Sequence, residues 1–174
     1  MRKLLFALIA TAVVAAPASA ALKVGDKAPD FATVGAVGGK DFKIDLDAQL
    51  KKGPVVLYFF PKAFTSGCTA EAHAFSASID EFKKAGAQVI GMSGDDLKTL
   101  HDFSTRECRS AFPVATATPN IQKEYDVAWA AHPGITTRTS YVIDRNGRIV
   151  MAYDNLDFSQ HVAKTLAAVQ ALKH

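Results

Sequence analysis

Cys68 stands at the end of the segment Pro61-Lys62-Ala63-Phe64-Thr65-Ser66-Gly67-Cys68, just past six apolar residues at 55–60 and at the mouth of a helix-forming stretch. The first N–H groups of a helix have no internal acceptor, and the helix dipole places partial positive charge among them. A thiol placed there is expected to ionise more readily than a free cysteine, whose pKa is near ~8.5, and the thiolate is the reactive form. Gly67 keeps the approach to the sulfur open, and Thr65 offers a hydroxyl three residues earlier. Cysteine is also a common inert core residue, so position alone leaves that reading open. Thr69-Ala70-Glu71 follow Cys68, so the Cys-x-x-Cys pair of a dithiol oxidoreductase is absent.

The second cysteine is Cys108, in Arg106-Glu107-Cys108-Arg109-Ser110. Two cysteines in 174 residues exclude a disulfide-dense miniprotein and any all-cysteine metal site. His73, His101 and His132 complete a scatter of possible ligands, but Cys68 and His73 are five apart, not the three or four that share a helix face. No metal and no cofactor is expected. His161 and His174 are expected in solvent, and Trp129 with His132-Pro133 is expected to anchor a loop.

An apolar fraction of 49% with 21% charged residues excludes intrinsic disorder, and the length suits one domain with a sizeable core. Residues 1–20 read as a secretory signal peptide: Arg2 and Lys3, a thirteen-residue run at 4–16 that is apolar except for Thr11, then Pro17 and Ala18-Ser19-Ala20, with cleavage after Ala20. The run is short of the roughly 20 apolar residues needed to span a bilayer, so no stable membrane association is expected. Removing Arg2 and Lys3 leaves 18 basic and 17 acidic side chains, a balance that points to no nucleic-acid partner. The mature domain, residues 21–174, is thus expected to be exported, to the periplasm of a Gram-negative bacterium, where a disulfide can persist.

The elements that must position Cys68 follow from patterning. Glycine- and proline-rich residues 22–47 read as turns with short β segments at 31–34 and 42–44, then a possible helical turn after Asp45. Residues 55–60, VVLYFF, bounded by Gly53-Pro54 and Pro61, read as a buried central strand. A helix begins near Cys68, with Phe75, Ile79 and Phe82 as its apolar stripe and Gly86 as its end. A strand at 88–92 precedes a second helix from Asp95-Asp96 to about Arg109, with Leu97, Leu100, Phe103 and Ser104 on one side and Cys108 near its end. A short strand at 112–115 and one or two helical turns at 121–125 come next. Residues 139–144 and 148–153 flank Asn146-Gly147, a strong hairpin signal. A last helix at 158–172 carries Phe158, Val162, Leu166, Val169 and Leu172. The pattern is α/β, a central mixed β-sheet flanked by helices.

The segment from Pro61 to Cys68 matches the P-x-x-x-T-x-x-C signature of peroxiredoxins, and YFFPKAFTSGCTAEAHAF resembles their bacterioferritin comigratory protein, or peroxiredoxin Q, branch. Residues 23–31, Phe112-Pro113-Val114, and residues 138–144 with Asn146-Gly147 are similar to three further blocks of that family, in the same order. The resemblance implies a thioredoxin-like fold and a thiol-dependent peroxidase acting on hydrogen peroxide and organic hydroperoxides. It implies that Cys68 is the peroxidatic cysteine, that Thr65 bonds the thiolate and the peroxide, and that Pro61 shields the pocket. Arg138 would hold the sulfur as thiolate and stabilise the transition state, a task suited to a permanently charged, multi-donor side chain. Glu71, three residues into the helix, suits the dipole; the family often has Glu there, which implies a place in the substrate-binding network. The attack leaves a sulfenic acid.

Two departures stand out. Ser66 replaces a usual proline, and His73 occupies the position five after Cys68 where many members carry a resolving cysteine. Some members place that cysteine on the second helix, at the position matching Thr105, one turn before Cys108. Three readings therefore remain: Cys68 and Cys108 form a transient catalytic disulfide, Cys108 is inert and an external thiol reduces Cys68, or the two form a permanent bridge. In the first, the reduced fold holds the sulfurs too far apart to bond, and the turn around Cys68 must unwind. The reductant would be a thioredoxin-like or glutaredoxin-like protein, and the enzyme a monomer or weak dimer. A thiol–disulfide exchanger and a metal chaperone are the competing functions.

Overall fold

A computed structural model describes residues 21–172. The signal segment expected at 1–20 and the solvent position expected for His174 lie outside them.

The chain begins with β1 (Ala32–Val37) and β2 (Lys40–Asp45), paired in register from Ala32↔Asp45 to Val37↔Lys40. Their turn is Gly38-Gly39, with φ of 57° and 73°. Two left-handed residues in succession match the twist of a two-residue hairpin, and glycine adopts that backbone without Cβ strain. Both strands are longer than the β segments expected there. Helix α1 (Leu46–Leu50) follows, capped by the Asp45 carboxylate, which accepts from Ala48 N–H at 2.8 Å. Then come β3 (Val55–Phe59), α2 (Ser66–Lys84), β4 (Gln88–Ser93), α3 (Leu97–Arg106), β5 (Val114–Thr116) and α4 (Pro119–Glu124). Strands β6 (Thr139–Ile143) and β7 (Ile149–Asp154), a 3-10 turn at Phe158–Gln160 and α5 (His161–Gln170) complete it.

The seven strands form one mixed sheet in the order β2-β1-β5-β4-β3-β6-β7. β3, β4 and β5 run parallel, and β6 pairs antiparallel with β3. Alternation along the central strand splits the core. Val55, Leu57 and Phe59 face one cluster with Leu46, Ile121, Tyr125 and Tyr141. Val56, Tyr58 and Phe60 face the other, with Phe75 and Phe82 of α2, Leu100 and Phe103 of α3, and Val169 of α5. Both cysteines belong to that second cluster.

Three details differ from the sequence reading. The β6–β7 hairpin is present, but its turn spans Asp144 to Gly147, closed by Gly147 N–H to Asp144 C=O at 2.9 Å. Only Gly147 of the Asn-Gly pair has positive φ, because the Asp144 carboxylate accepts from the N–H groups of both Asn146 and Arg148 and sets a longer turn. Helix α3 ends at Arg106, so Cys108 lies beyond it, where Arg109 and Ser110 have φ of 52° and 58°. On α5 the fully buried line is His161, Thr165 and Val169, while Val162, Leu166 and Leu172 are only partly buried. His161 is thus a buried residue and not a solvated one.

Gly91 of β4 is required by packing. A Cβ there would meet the end of the Tyr58 ring at 2.8–2.9 Å, and that ring cannot yield because it stacks on Phe75 at 4.3 Å. Gly91→Ala is expected to cost about 1–3 kcal/mol by overpacking, measured as a fall in the urea unfolding midpoint with unchanged slope.

Candidate active site

The strand-to-helix junction after β3 builds the site. Thr65 is the N-cap of α2, with extended backbone, so Ser66, Gly67 and Cys68 are the first three helical residues. No acidic side chain sits in this first turn, and the Thr65 hydroxyl makes no cap bond. It donates instead to the Lys62 carbonyl at 3.0 Å, which leaves its oxygen free to accept. The first-turn N–H groups therefore keep their partial positive charge beside the Cys68 sulfur. The loop before the helix is tied down by the Asp95 carboxylate, which accepts from Ala63 N–H at 2.8 Å and from the Ser93 hydroxyl at 2.9 Å. Phe64 holds a left-handed φ of 63°, with its ring edge-on to Phe103 and under the Arg106 guanidinium.

Arg138 enters from the residue before β6. Arg138 is 5% exposed, and each guanidinium nitrogen has a destination. Nε donates to the Leu156 carbonyl at 2.8 Å, Nη1 to Glu71 Oε2, and Nη2 to Cys68 Sγ at 3.5 Å. Gly67 permits that approach, since a Cβ there would lie 3.2 Å from Nη2. Cys68 and Glu71, three apart on α2, share one helix face, so a single arginine reaches both.

Glu71 is fully buried and lies behind Arg138. It is not a surface acid serving the dipole, and any influence on a substrate passes through the guanidinium. Burial pushes its carboxyl up to about 8, against the opposing charge and hydrogen bond of Arg138. Glu71 takes one end of the guanidinium and leaves Nη2 directed at the sulfur. Pro61 is half-buried at the head of the loop, and Thr65 is exposed beside Cys68, which is 1% exposed.

His161, missed from sequence, backs this cluster. Its Nε2 donates to the Asn155 carbonyl at 2.9 Å, and its Nδ1 lies 2.8 Å from the Ser140 hydroxyl. Burial favours the neutral imidazole, and its 3.7 Å approach to Glu71 Oε1 is then a contact and not an ion pair. Burial pushes the imidazole below its usual value, and Arg138 adds to this. A buried line at 161, 165 and 169 was the available signal, hidden by the more apolar residues beside it.

Cys108 is 0% exposed and free, as is Cys68 in this state. Burial pushes the Cys108 thiol far up, and Glu107 pushes it further. His73 pairs with Glu107, His101 with Asp41, and His132 packs edge-on to Trp129, so the histidines do not converge with the cysteines. Among the described residues no group of three His, Cys, Asp or Glu could hold a metal.

Residues 24–152 match the model of the AhpC/TSA family. The chain is 35% identical over 150 residues to a chloroplastic peroxiredoxin Q of Oryza sativa subsp. japonica, covering 85% of this chain and 67% of that one. It is 36% identical over 128 residues to the peroxiredoxin Q of Sedum lineare, covering 72% and 68%. Among solved structures, the peroxidoxin BcpB of Mycobacterium tuberculosis superposes with a TM-score of 0.79 at 27% identity, covering 88% of this chain and 99% of that one. A Xanthomonas campestris peroxiredoxin Q gives 0.69 at 28% identity, covering 79% and 89%.

Glu71→Ala strands the buried guanidinium and is expected to cost about 3–5 kcal/mol of stability, read by urea denaturation, with Glu71→Gln costing less. His161 predicts a pH dependence. The unfolded imidazole titrates near ~6.5 and the folded one lower, so the unfolded chain takes up the proton first as pH falls. The stability from burying it neutral is present above about 6.5 and lost below. The stability gap between the wild type and His161→Gln should therefore narrow from about pH 7.5 to about pH 5.5.

Proposed function

The chain belongs to the AhpC/TSA family and is a peroxiredoxin, a peroxidase that takes a peroxide as substrate and a thiol as reductant, and we propose that Cys68 is its peroxidatic cysteine. The observation that carries this is the buried Arg138 donating toward a sulfur in the first turn of α2.

The Cys68 thiolate attacks one oxygen of the O–O bond. The sulfur lone pair forms the S–O bond, the O–O pair leaves with hydroxide or alkoxide, and that group takes up a proton as water or alcohol. The enzyme is left as Cys68–SOH. Negative charge moves from sulfur to the departing oxygen, and Arg138 with the first N–H groups of α2 stabilises both ends of that shift. The Thr65 oxygen, with its own proton given to Lys62, accepts the peroxide O–H. Pro61 keeps bulk water from the loop side. Hydrogen peroxide and organic hydroperoxides fit this chemistry, which asks only for the O–O bond.

The second step in our reading is resolution by Cys108: Cys68–SOH and Cys108–SH give the disulfide and water. The shared apolar cluster supports it. A thioredoxin-like or glutaredoxin-like dithiol then reduces the bond, taking the disulfide itself. The complete burial of Cys108 favours a second reading, in which an external thiol attacks Cys68–SOH directly. Export to the periplasm after cleavage at Ala20, and action as a monomer or weak dimer, complete the proposal; the former rests on the charged, apolar and small-residue zones of residues 1–20.

Cys68→Ser is expected to reduce peroxide consumption to background, and Arg138→Ala to slow it by about 10²–10³. One equivalent of peroxide should lower the protein mass by two hydrogens and yield a crosslinked Cys68–Cys108 peptide. A Cys68 that stays sulfenic or over-oxidises, with Cys108 still free, selects the external-thiol reading.

A further inference from the structure

The turn that carries Cys108 is bound to α2 at two points. His73 Nε2 lies 2.9 Å from Glu107 Oε2. One turn further along α2, the Ser76 hydroxyl donates to the Cys108 carbonyl at 2.9 Å, shared with the Ala72 carbonyl at 2.8 Å. The N–H groups of Glu107 and Cys108 both go to the Phe103 carbonyl, at 2.9 and 3.0 Å. The next two residues, Arg109 and Ser110, are exposed and left-handed, with φ of 52° and 58°. Side chains with a Cβ rarely adopt that backbone, and two in succession store strain that opening releases.

Geometry requires a movement. His73 and Ser76 are five and eight residues past Cys68, so at ~1.5 Å per residue they lie about 7–12 Å further along the helix axis. A disulfide needs Cα atoms within about 7 Å, and Cys108 is anchored level with those two residues. α2 is held at Glu71 by Arg138, which is itself bonded to the Leu156 carbonyl. The Cys108 turn is strained at Arg109 and Ser110, and it is closed by Ser110 N–H to the Ser104 carbonyl and Ala111 N–H to the Cys108 carbonyl, each at 2.9 Å.

We infer that the 107–111 turn moves in the resolving step as well as the turn around Cys68, and that His73 and Ser76 are a latch whose release sets how fast the Cys108 sulfur reaches Cys68–SOH. This rests on the reading of Cys108 as the resolving thiol. His73 and Ser76 are positioning residues: they touch neither peroxide nor either sulfur. The histidine that replaces a cysteine five residues after Cys68 then has its own task. It holds the more distant thiol in store.

The test follows both steps separately. Reduced protein is mixed with hydrogen peroxide, quenched by thiol alkylation at set times, and analysed by mass spectrometry for Cys68–SOH and for the Cys68–Cys108 bond. His73→Ala is expected to form the disulfide about two- to fivefold faster, with sulfenic acid formation unchanged. Ser76→Ala, a smaller change to the fold, should move the same step in the same direction. His73→Gln can still donate to Glu107 and should return the rate toward the wild type. Asp41→Asn removes the 2.7 Å contact with His101 on α3 and should leave both steps unchanged. Disulfide formation that is unchanged or slower in His73→Ala and Ser76→Ala, or equally accelerated by Asp41→Asn, overturns the latch while leaving Cys108 as resolving thiol. Absence of the crosslinked peptide in the wild type overturns both.

Discussion

A buried guanidinium survives only if its charge and donors are taken up, and Arg138 meets that demand in a way that organises everything near it. The Leu156 carbonyl fixes Nε, the buried Glu71 carboxyl takes Nη1, and the Cys68 sulfur receives Nη2. Glu71 anchors one end of the guanidinium and leaves the other for the sulfur. The cost of burying a cation is thereby turned toward one sulfur. The framework meets the same demand from three sides. β6 delivers Arg138, α2 sets Cys68 and Glu71 one turn apart, and Gly67 leaves room for the nitrogen between them.

The two thiols share one apolar cluster and are treated in opposite ways. Cys68 faces the Arg138 guanidinium and the first-turn N–H groups of α2. Cys108 faces hydrocarbon and the Glu107 carboxylate, a setting that opposes negative charge. In our proposal Cys68 reacts in the folded state, and Cys108 is withheld until the fold opens locally. The strained pair Arg109-Ser110 and the bonds from His73 and Ser76 stand where that opening would begin. Local strain at a point of movement is a recurrent use of unfavourable backbone.

Much of the fold could be read from patterning. The β-branched and aromatic run at 55–60 is the fully buried central strand, and the Phe75–Phe82 spacing is the core face of α2. The N-terminal hairpin was underestimated because its strands hold few strongly apolar residues; the two glycines between them were the better signal. Cys108 was placed near the end of the second helix because that helix was read on to about Arg109. The helix ends earlier, as the chain turns left-handed to bring Phe112 back over Tyr58. His161 was read as solvated because polarity stood in for position.

Sequence alone put Cys68 at a helix mouth and proposed it as the reacting residue, since spacing, turn chemistry and the helix dipole are local. The pairing of Glu71 with Arg138, 67 residues away, the neutrality of His161, and the attachment of the Cys108 turn to α2 were decided only by the tertiary structure. The reason is physical. Burial and hydrogen-bond partnership belong to no single segment of chain; they arise when distant segments exclude water together, and only then do a carboxyl, an imidazole and a thiol take values that their own neighbours in sequence do not dictate.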